Sequence, residues 1–373
     1  MSKTKIEWAT HTWNPVTGCS PVSEGCQNCY AARMAKRLAG RSGYPKDDPF
    51  RVTFHPDRLA QPLKWKKPSR IFICSMGDLF HEEVPFNDIA CILGIMAACQ
   101  HHTFMVLTKR PANMLEFFKW LGRMAEGKSM IEVFPHDSHG WRCRHLLKAA
   151  ALGATENGKI AVHSLEGWPL PNVWLGVTAE NQARADERIP ILLQIPAAKR
   201  FVSIEPMLGP VDIARWLLIS WQCSGCRGYF NGPYRNICPD CGREGWWSGS
   251  HPFNGRNMPR GPICRSQKGQ GLDWVICGGE TGPGARPLHP DWARSLRDQC
   301  QDAGVPFFFK QWGEWKAEHR QSESVELFRL KDNQQVAKAR DGGHWLFTRV
   351  GKKRAGRLLN RQAWDEFPER SRA

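Results

Sequence analysis

The 373-residue sequence predicts an α/β fold, a TIM-like parallel β/α barrel that is partial or closed, and three observations lead there. First, short apolar or β-branched runs recur with loops at their C-terminal ends: Arg70 to Cys74, Thr103 to Thr108, Asn172 to Val177, Arg200 to Ile204, Trp274 to Cys277 and Pro306 to Phe309. Several are apolar at nearly every position, as strands covered on both faces are. Second, helix-like stretches separate most of them, at Asn87 to Gln100, Pro111 to Trp120, Asn181 to Leu193 and Pro290 to Ala303. Strand alternating with helix argues for a parallel sheet. Third, polar, Gly-rich and acidic residues follow one strand after another. This favours a barrel, whose functional groups crowd the C-terminal rim, over the open doubly wound sheet that the pattern alone also allows.

Taken in order, residues 1–121 carry the first half of the barrel and a cysteine loop. Thr17-Gly-Cys-Ser-Pro-Val-Ser-Glu-Gly-Cys-Gln-Asn-Cys-Tyr30 sets Cys19, Cys26 and Cys29 in a C-x6-C-x2-C spacing. Tyr30 to Leu38 reads as a helix, so Cys26 and Cys29 stand about one turn apart near its N-terminus, where the positive end of the helix dipole favours thiolates. Iron–sulfur clusters are ordinarily held by four thiolates, and three on one loop leave one iron of a four-iron cluster open to a ligand. A zinc knuckle completed by a distant His or Cys, and three unrelated reduced thiols, are the other readings of this spacing.

Residues 122–171 interrupt the rhythm, with Gly127-Lys-Ser, His136-Asp-Ser-His-Gly140 and a short helix-like run around Arg144 to Leu152. Residues 172–220 continue the barrel. Residues 221–271 are rich in Gly, Cys, Arg and Trp and poor in aliphatics, so they cannot build an apolar core and need a staple. Cys223-Ser-Gly-Cys226 and Cys238-Pro-Asp-Cys241, with Gly225 and Gly242 at the tight turns, predict one: a tetrahedral four-sulfur zinc ribbon. Such a site has no open position and is structural. The insertion also holds Arg227, Arg235, Arg243, Arg256, Arg260, Arg265 and Lys268 near Tyr229, Phe230, Tyr234, Trp246 and Trp247. Cations for phosphate and rings for bases are what single-strand binding requires. Residues 272–315 complete the barrel. Residues 316–373 form a polar extension, ending in Gly342-Gly-His-Trp-Leu-Phe-Thr-Arg-Val350 and the basic segment Lys352 to Arg361, read as a strand pair or helix packed on the barrel.

Composition narrows the partners. A formal net charge of +16 attracts polyanions, nucleic acid first. The longest apolar stretch, Ile89 to Cys99, is too short to span a bilayer, and nothing resembles a basic amphipathic membrane helix or lipid anchor. The polar start, with Lys3 and Lys5, lacks a signal peptide, so a cytoplasmic chain is expected. In a reducing compartment its 14 cysteines point to metal binding rather than disulfides. There is no Walker loop, G-x-S-x-G elbow, dinucleotide fingerprint or H-E-x-x-H, which argues against nucleotide hydrolysis, serine esterase chemistry and NAD redox. The scattered histidines read as surface or hydrogen-bonded polar residues.

Lys5-Ile-Glu-Trp-Ala-Thr-His-Thr-Trp-Asn-Pro-Val-Thr-Gly-Cys, continued through Gly25-Cys-Gln-Asn-Cys-Tyr-Ala31, resembles the opening of the phage and prophage three-Cys-motif family (Gp-thirty-seven/Gp-sixty-eight). That family is similar in turn to the radical S-adenosylmethionine enzymes. Ile73-Cys-Ser-Met-Gly-Asp-Leu-Phe-His81, Leu107-Thr-Lys-Arg-Pro111, Leu175-Gly-Val-Thr-Ala-Glu-Asn181, Ser203-Ile-Glu-Pro-Met207, Cys277-Gly-Gly-Glu-Thr-Gly282 and Val350-Gly-Lys-Lys-Arg-Ala-Gly-Arg-Leu-Leu359 resemble its other blocks. The spacing departs from the C-x3-C-x2-C of the commonest radical enzymes, and Asn28 stands where an aromatic residue is usual.

The resemblance implies a phage- or prophage-encoded enzyme with a four-iron, four-sulfur (4Fe-4S) cluster on Cys19, Cys26 and Cys29. It implies S-adenosylmethionine chelated to the open iron and cleaved reductively, an external electron donor, and a nucleic-acid or nucleotide-derived substrate. It also implies that the loop Ser75-Met-Gly-Asp78 handles the methionine amine, Gly77 allowing close approach and Asp78 accepting from the ammonium. Thr178, Glu180, Asn181, Ser203, Glu205, Gly278, Gly279 and Glu280 would then meet ribose and adenine, although a strand-terminal acid is as readily a helix cap. Lys109, Arg110, Lys310 and Trp312 also follow strands; their cations read either as partners of a substrate phosphate or cofactor carboxylate or as ordinary rim salt bridges. The competing function is a non-catalytic, metal-stabilised nucleic-acid-binding protein.

Overall fold

The computed structural model describes residues 4, 6–125, 169–217, 219–222, 229–232, 265–267, 271–321 and 331–368. Seven strands form one sheet in chain order: β1 (His11–Trp13), β2 (Arg70–Ile73), β3 (Thr103–Thr108), β4 (Val173–Thr178), β5 (Lys199–Ile204), β6 (Trp274–Gly278) and β7 (Phe307–Gln311). Every pairing is parallel, and the sheet curls into a half-barrel. Helices α1 (Tyr30–Leu38), α2 (Phe86–Ala98), α3 (Pro111–Ala125), α4 (Gln182–Leu193) and α5 (Pro290–Asp302) occupy the connections. The expected strand and helix positions hold to within a few residues. β1 escapes sequence reading, because three residues with a polar start make no pattern; its pairing of Trp13 with Ile73 supplies the order.

Alternation along the strands explains why the runs look apolar throughout. Ile71, Ile73, Phe104, Val106, Val173, Leu175, Val177, Val202, Ile204, Val275, Phe307 and Phe309 join residues of α2, α3, α4 and α5 in one buried cluster. The alternate positions, Phe72, Met105, Leu107, Trp174, Phe201, Trp274, Ile276 and Phe308, form a second cluster on the concave face. Each face is therefore buried against a different partner. Continued to the strand ends, the concave positions turn polar or small: Lys109, Thr178, Ser203, Glu205, Gly278 and Lys310. The chemistry of the chain is set at that change.

Gly176 shows how tightly the concave layer is filled. It pairs with Phe201 across β4 and β5, and a β-carbon on it would stand 2.5 Å from the Phe201 Cζ. Gly176→Ala is expected to cost about 1–3 kcal/mol by overpacking, read as a lowered melting temperature.

Two distant segments seal the base of this layer. Trp8 lies 4.7 Å from Phe72 and 6.2 Å from Trp274, centroid to centroid, while Phe367 lies 5.1 Å from Trp274 and 5.4 Å from Phe308. The Arg70 guanidinium stands 4.0 Å over the Phe367 ring.

The C-terminal extension forms a three-stranded antiparallel sheet of Trp315–Arg320, His344–Arg349 and Gln334–Lys338, followed by a one-turn helix, Lys352–Ala355. Ile219–Gln222, Tyr229–Gly232 and Arg265–Gln267 form another antiparallel sheet, which begins two residues before the second insertion. Cys223, Cys226, Cys238 and Cys241 lie outside the described residues, as do Gly127 to Ser129, the histidine motif and the helix-like run of the first insertion. Among the described residues no helix is long and apolar enough to cross a membrane.

Candidate functional site

At the C-terminal ends of the strands lies a cavity of about 270 Å³. Trp8, Phe72 and Leu107 contribute apolar lining, and Ser75, Thr178, Ser203 and Thr281 contribute hydroxyl-bearing residues. Cys19, Cys26 and Cys29 line it too. The cysteine loop and strand ends as far along the chain as Lys310 thus share one space.

Backbone packing brings the loop there. Gly18, at φ +85°, donates to the Met76 carbonyl at 2.9 Å, and its α-carbon lies where a side chain would strike the Arg51 carbonyl. Gly77 bridges to it in parallel, and a β-carbon on Gly77 would stand 2.8 Å from the Gly18 oxygen. Gly77 therefore admits the cysteine loop, a role that its position in the loop after β2 did not disclose. Cys26 ends a one-turn helix and Cys29 is the residue before α1, with the Cys29 amide donating to the Cys26 carbonyl at 3.2 Å. All three thiols are free and partly exposed. Arg110 donates to the Cys19 sulfur at 3.2 Å and to the Ser20 carbonyl at 2.9 Å. Burial pushes the Cys19 thiol up to about 11, with Asp78 adding to the rise and Arg110 opposing it. Ligation there must expel a proton. Among the described residues no three His, Cys, Asp or Glu side chains are grouped to hold a single metal ion.

Around the cavity each buried carboxylate has a cation. Asp78 accepts from the Thr108 hydroxyl at 2.7 Å and the Phe80 amide at 3.0 Å on one oxygen; the other takes the Lys109 amide at 3.0 Å and has Arg110 at 3.6 Å. Glu180, fully buried, pairs with Lys109 and with Arg188 at 3.0 Å, and accepts from the Ser23 hydroxyl at 2.6 Å. Burial works against its charge, but Lys109 and Arg188 hold its pKa below the usual glutamate range. Glu205 meets Lys310 at 2.8 Å; burial opposes the lysine charge, yet Glu205 raises its pKa. Glu280 takes a two-pronged contact from Arg286, at 2.8 and 2.6 Å, which overcomes burial and lowers its pKa.

These pairs refine the expectations. Asp78 lines the cavity while both its oxygens meet protein donors, so it also ties the end of β2 to the end of β3. Asp78→Ala is expected to lower stability by about 2–3 kcal/mol in urea unfolding, because buried donors lose their acceptor. Lys109, Arg110 and Lys310 each make a salt bridge and each line the cavity. Asn181 caps α4, accepting from the Arg184 amide at 3.1 Å, while its side-chain amide reaches Glu24 of the cysteine loop. Gly278 packs its α-carbon on the Glu205 side chain and Gly279 on the Trp312 carbonyl. Trp312 does not line this cavity; its indole donates to the Leu358 carbonyl at 3.0 Å.

Residues 3–368 match a family described as "Protein of unknown function (DUF5131)". The chain belongs to that family. No curated protein and no solved structure matches it.

In this DUF5131 chain several site residues gave no signal in the sequence. Ser23 and Glu24 are ordinary loop residues until the fold sets them against Glu180 and Asn181. Arg286 follows a Gly-Pro-Gly turn and reaches the Glu24 carbonyl at 3.0 Å as well as Glu280. Asn28 donates to the Gly284 carbonyl at 2.7 Å, which accounts for an amide between the last two cysteines. The buried histidines are partnered: His55 with Thr17 at 2.8 Å, His81 with Ser20 at 2.8 Å, His289 with the Lys338 carbonyl at 2.8 Å.

Proposed function

We propose that this DUF5131 chain is a radical-S-adenosylmethionine-type enzyme, similar to the phage and prophage three-Cys-motif family, acting on nucleic acid or a nucleotide-derived substrate. One observation carries the reading: three free, partly exposed cysteines and the polar ends of successive parallel strands line one cavity. The donor set fits a 4Fe-4S cluster. Three free, partly exposed thiols on one loop are the ligand type that such a cluster takes. Cys19, Cys26 and Cys29 would hold the cluster, with S-adenosylmethionine in the adjoining cavity at the iron that lacks a thiolate. When bound, the two supply one-electron cleavage of a carbon–sulfur bond.

The chain's own residues do the holding. Trp8, Phe72 and Leu107 exclude water from the base of the cavity. Thr178 and Ser203, direct partners across β4 and β5, offer hydroxyls to a ligand's polar edge. Four carboxylate–cation pairs fix the walls, so little reorganisation follows ligand entry. In the same reading the half-barrel is a TIM-like barrel with an inserted zinc ribbon, closed by Cys223, Cys226, Cys238 and Cys241. The chain works in a bacterial host's cytoplasm with an external electron donor.

The test is purification under strict anaerobiosis with iron, sulfide and zinc counted per chain, followed by assay of 5′-deoxyadenosine. About four irons and one zinc with product formation are expected. Zinc alone at both sites would overturn the proposal.

A further inference from the structure

A second cavity of about 510 Å³ is lined by residues of α5, Trp312 and the C-terminal extension. Gly279 leaves no room for a side chain against the Trp312 carbonyl, and the Glu314 amide donates to the Glu280 carbonyl at 3.2 Å, so the strand end that lines the first cavity packs directly on the segment that carries Trp312. Arg294, Lys316 and Arg361 line the groove with Trp312, Trp345 and Leu358, and no carboxylate does. Asp291 accepts from Arg294 at 3.1 Å and from the Trp345 indole at 3.2 Å, and Asn360 accepts from Arg294 at 2.9 Å. The Arg294 guanidinium is thereby fixed 4.9 Å over the Trp345 ring. The Lys316 side chain, 54% exposed, donates to the exposed Glu318 carboxylate at 3.2 Å, a surface pair that a phosphate can replace, and Leu358 is 53% exposed, an apolar side chain left in solvent beside cations.

We propose that this groove binds a single-stranded nucleic-acid segment, with phosphates on Lys316 and Arg361 and a base against Trp312 and the Arg294–Trp345 stack. Exposed cations beside ring faces and a guanidinium plane are the elements that hold an unpaired strand. The inference does not depend on the chemistry assigned to the first cavity.

The experiment uses the full chain and a labelled oligo-dT of about twelve nucleotides, matched to the site sizes of single-strand binders. Lys316→Glu with Arg361→Glu is expected to weaken binding at least about tenfold and to make the logarithmic salt slope shallower by about 1.4, the effect of two lost phosphate contacts. Lys66→Glu with Lys67→Glu, an equal charge change at exposed positions elsewhere, should leave both nearly unchanged. Light-induced crosslinking of oligo-dT should map to the peptide holding Trp312. Equal losses in the two double variants, crosslinks only elsewhere, or equal competition by polyglutamate would each overturn the proposal; unchanged folding of the groove variant is read from its melting temperature.

Discussion

Cys19→Ala, Cys26→Ala and Cys29→Ala are each expected to reduce 5′-deoxyadenosine formation to background after anaerobic reconstitution, with loss of bound iron and sulfide. The loss should be as complete in each single variant as in the triple, because groups that act as one unit are not additive. Cys300→Ala is the matched control. It removes a buried thiol on the helix side of the sheet and should lower stability while leaving the iron count and product formation intact. Product formation that survives in all three loop variants would remove the cluster from the mechanism, whatever metal the protein contains.

The second large effect falls on stability. Glu180→Ala is expected to cost about 3–5 kcal/mol in urea unfolding, because it strands Lys109 and the buried Arg188 without their partner. Glu180→Gln should cost less, since its amide oxygen still accepts from Ser23. Because Ser23 belongs to the cysteine loop, the alanine variant should also hold iron less well. The pH dependence follows from the direction of the shift. The folded pKa lies below the unfolded one, so the contribution is complete above about pH 4.3 and is lost as pH falls through the lower, folded value. Between wild type and Glu180→Gln, the stability difference should shrink with acidification in that window and stay flat above it. A difference independent of pH down to acid unfolding would mean that folding does not lower the Glu180 pKa.

The strands and helices were legible because both faces of the sheet are covered, which turns each strand into an apolar run, and because each helix follows at short range. The cysteine loop was legible from spacing and its assembly with the strand ends from the recurrence of polar residues there. What stayed hidden was the pairing. Lys109, Glu180 and Ser23 belong to three separated segments, and nothing in any one of them says that the lysine is spent on the glutamate. Asp78 read as a free acceptor because its donors, the Thr108 hydroxyl and the Lys109 amide, are supplied by another strand end. That Gly77 also admits the cysteine loop was not readable, because Gly18, which packs on it, lies about sixty residues earlier. Local chemistry was readable; partners brought in by topology were not.

The seal of the half-barrel by Trp8 and Phe367 bears on how the protein is made. A ribosome delivers β1 to β7 in the order in which they lie side by side, so neighbouring strands can pair as the chain emerges, N-terminal part first. Trp8 precedes every strand of the sheet in the chain, yet Phe367, packed against the same concave cluster, follows the last of them. From the emergence of β6 until residue 367 follows, the Trp274 ring lacks that cover, the kind of surface that chaperones recognise and that aggregates when they are absent. A nascent chain halted before residue 367 would carry a correctly ordered sheet with an unfinished interior.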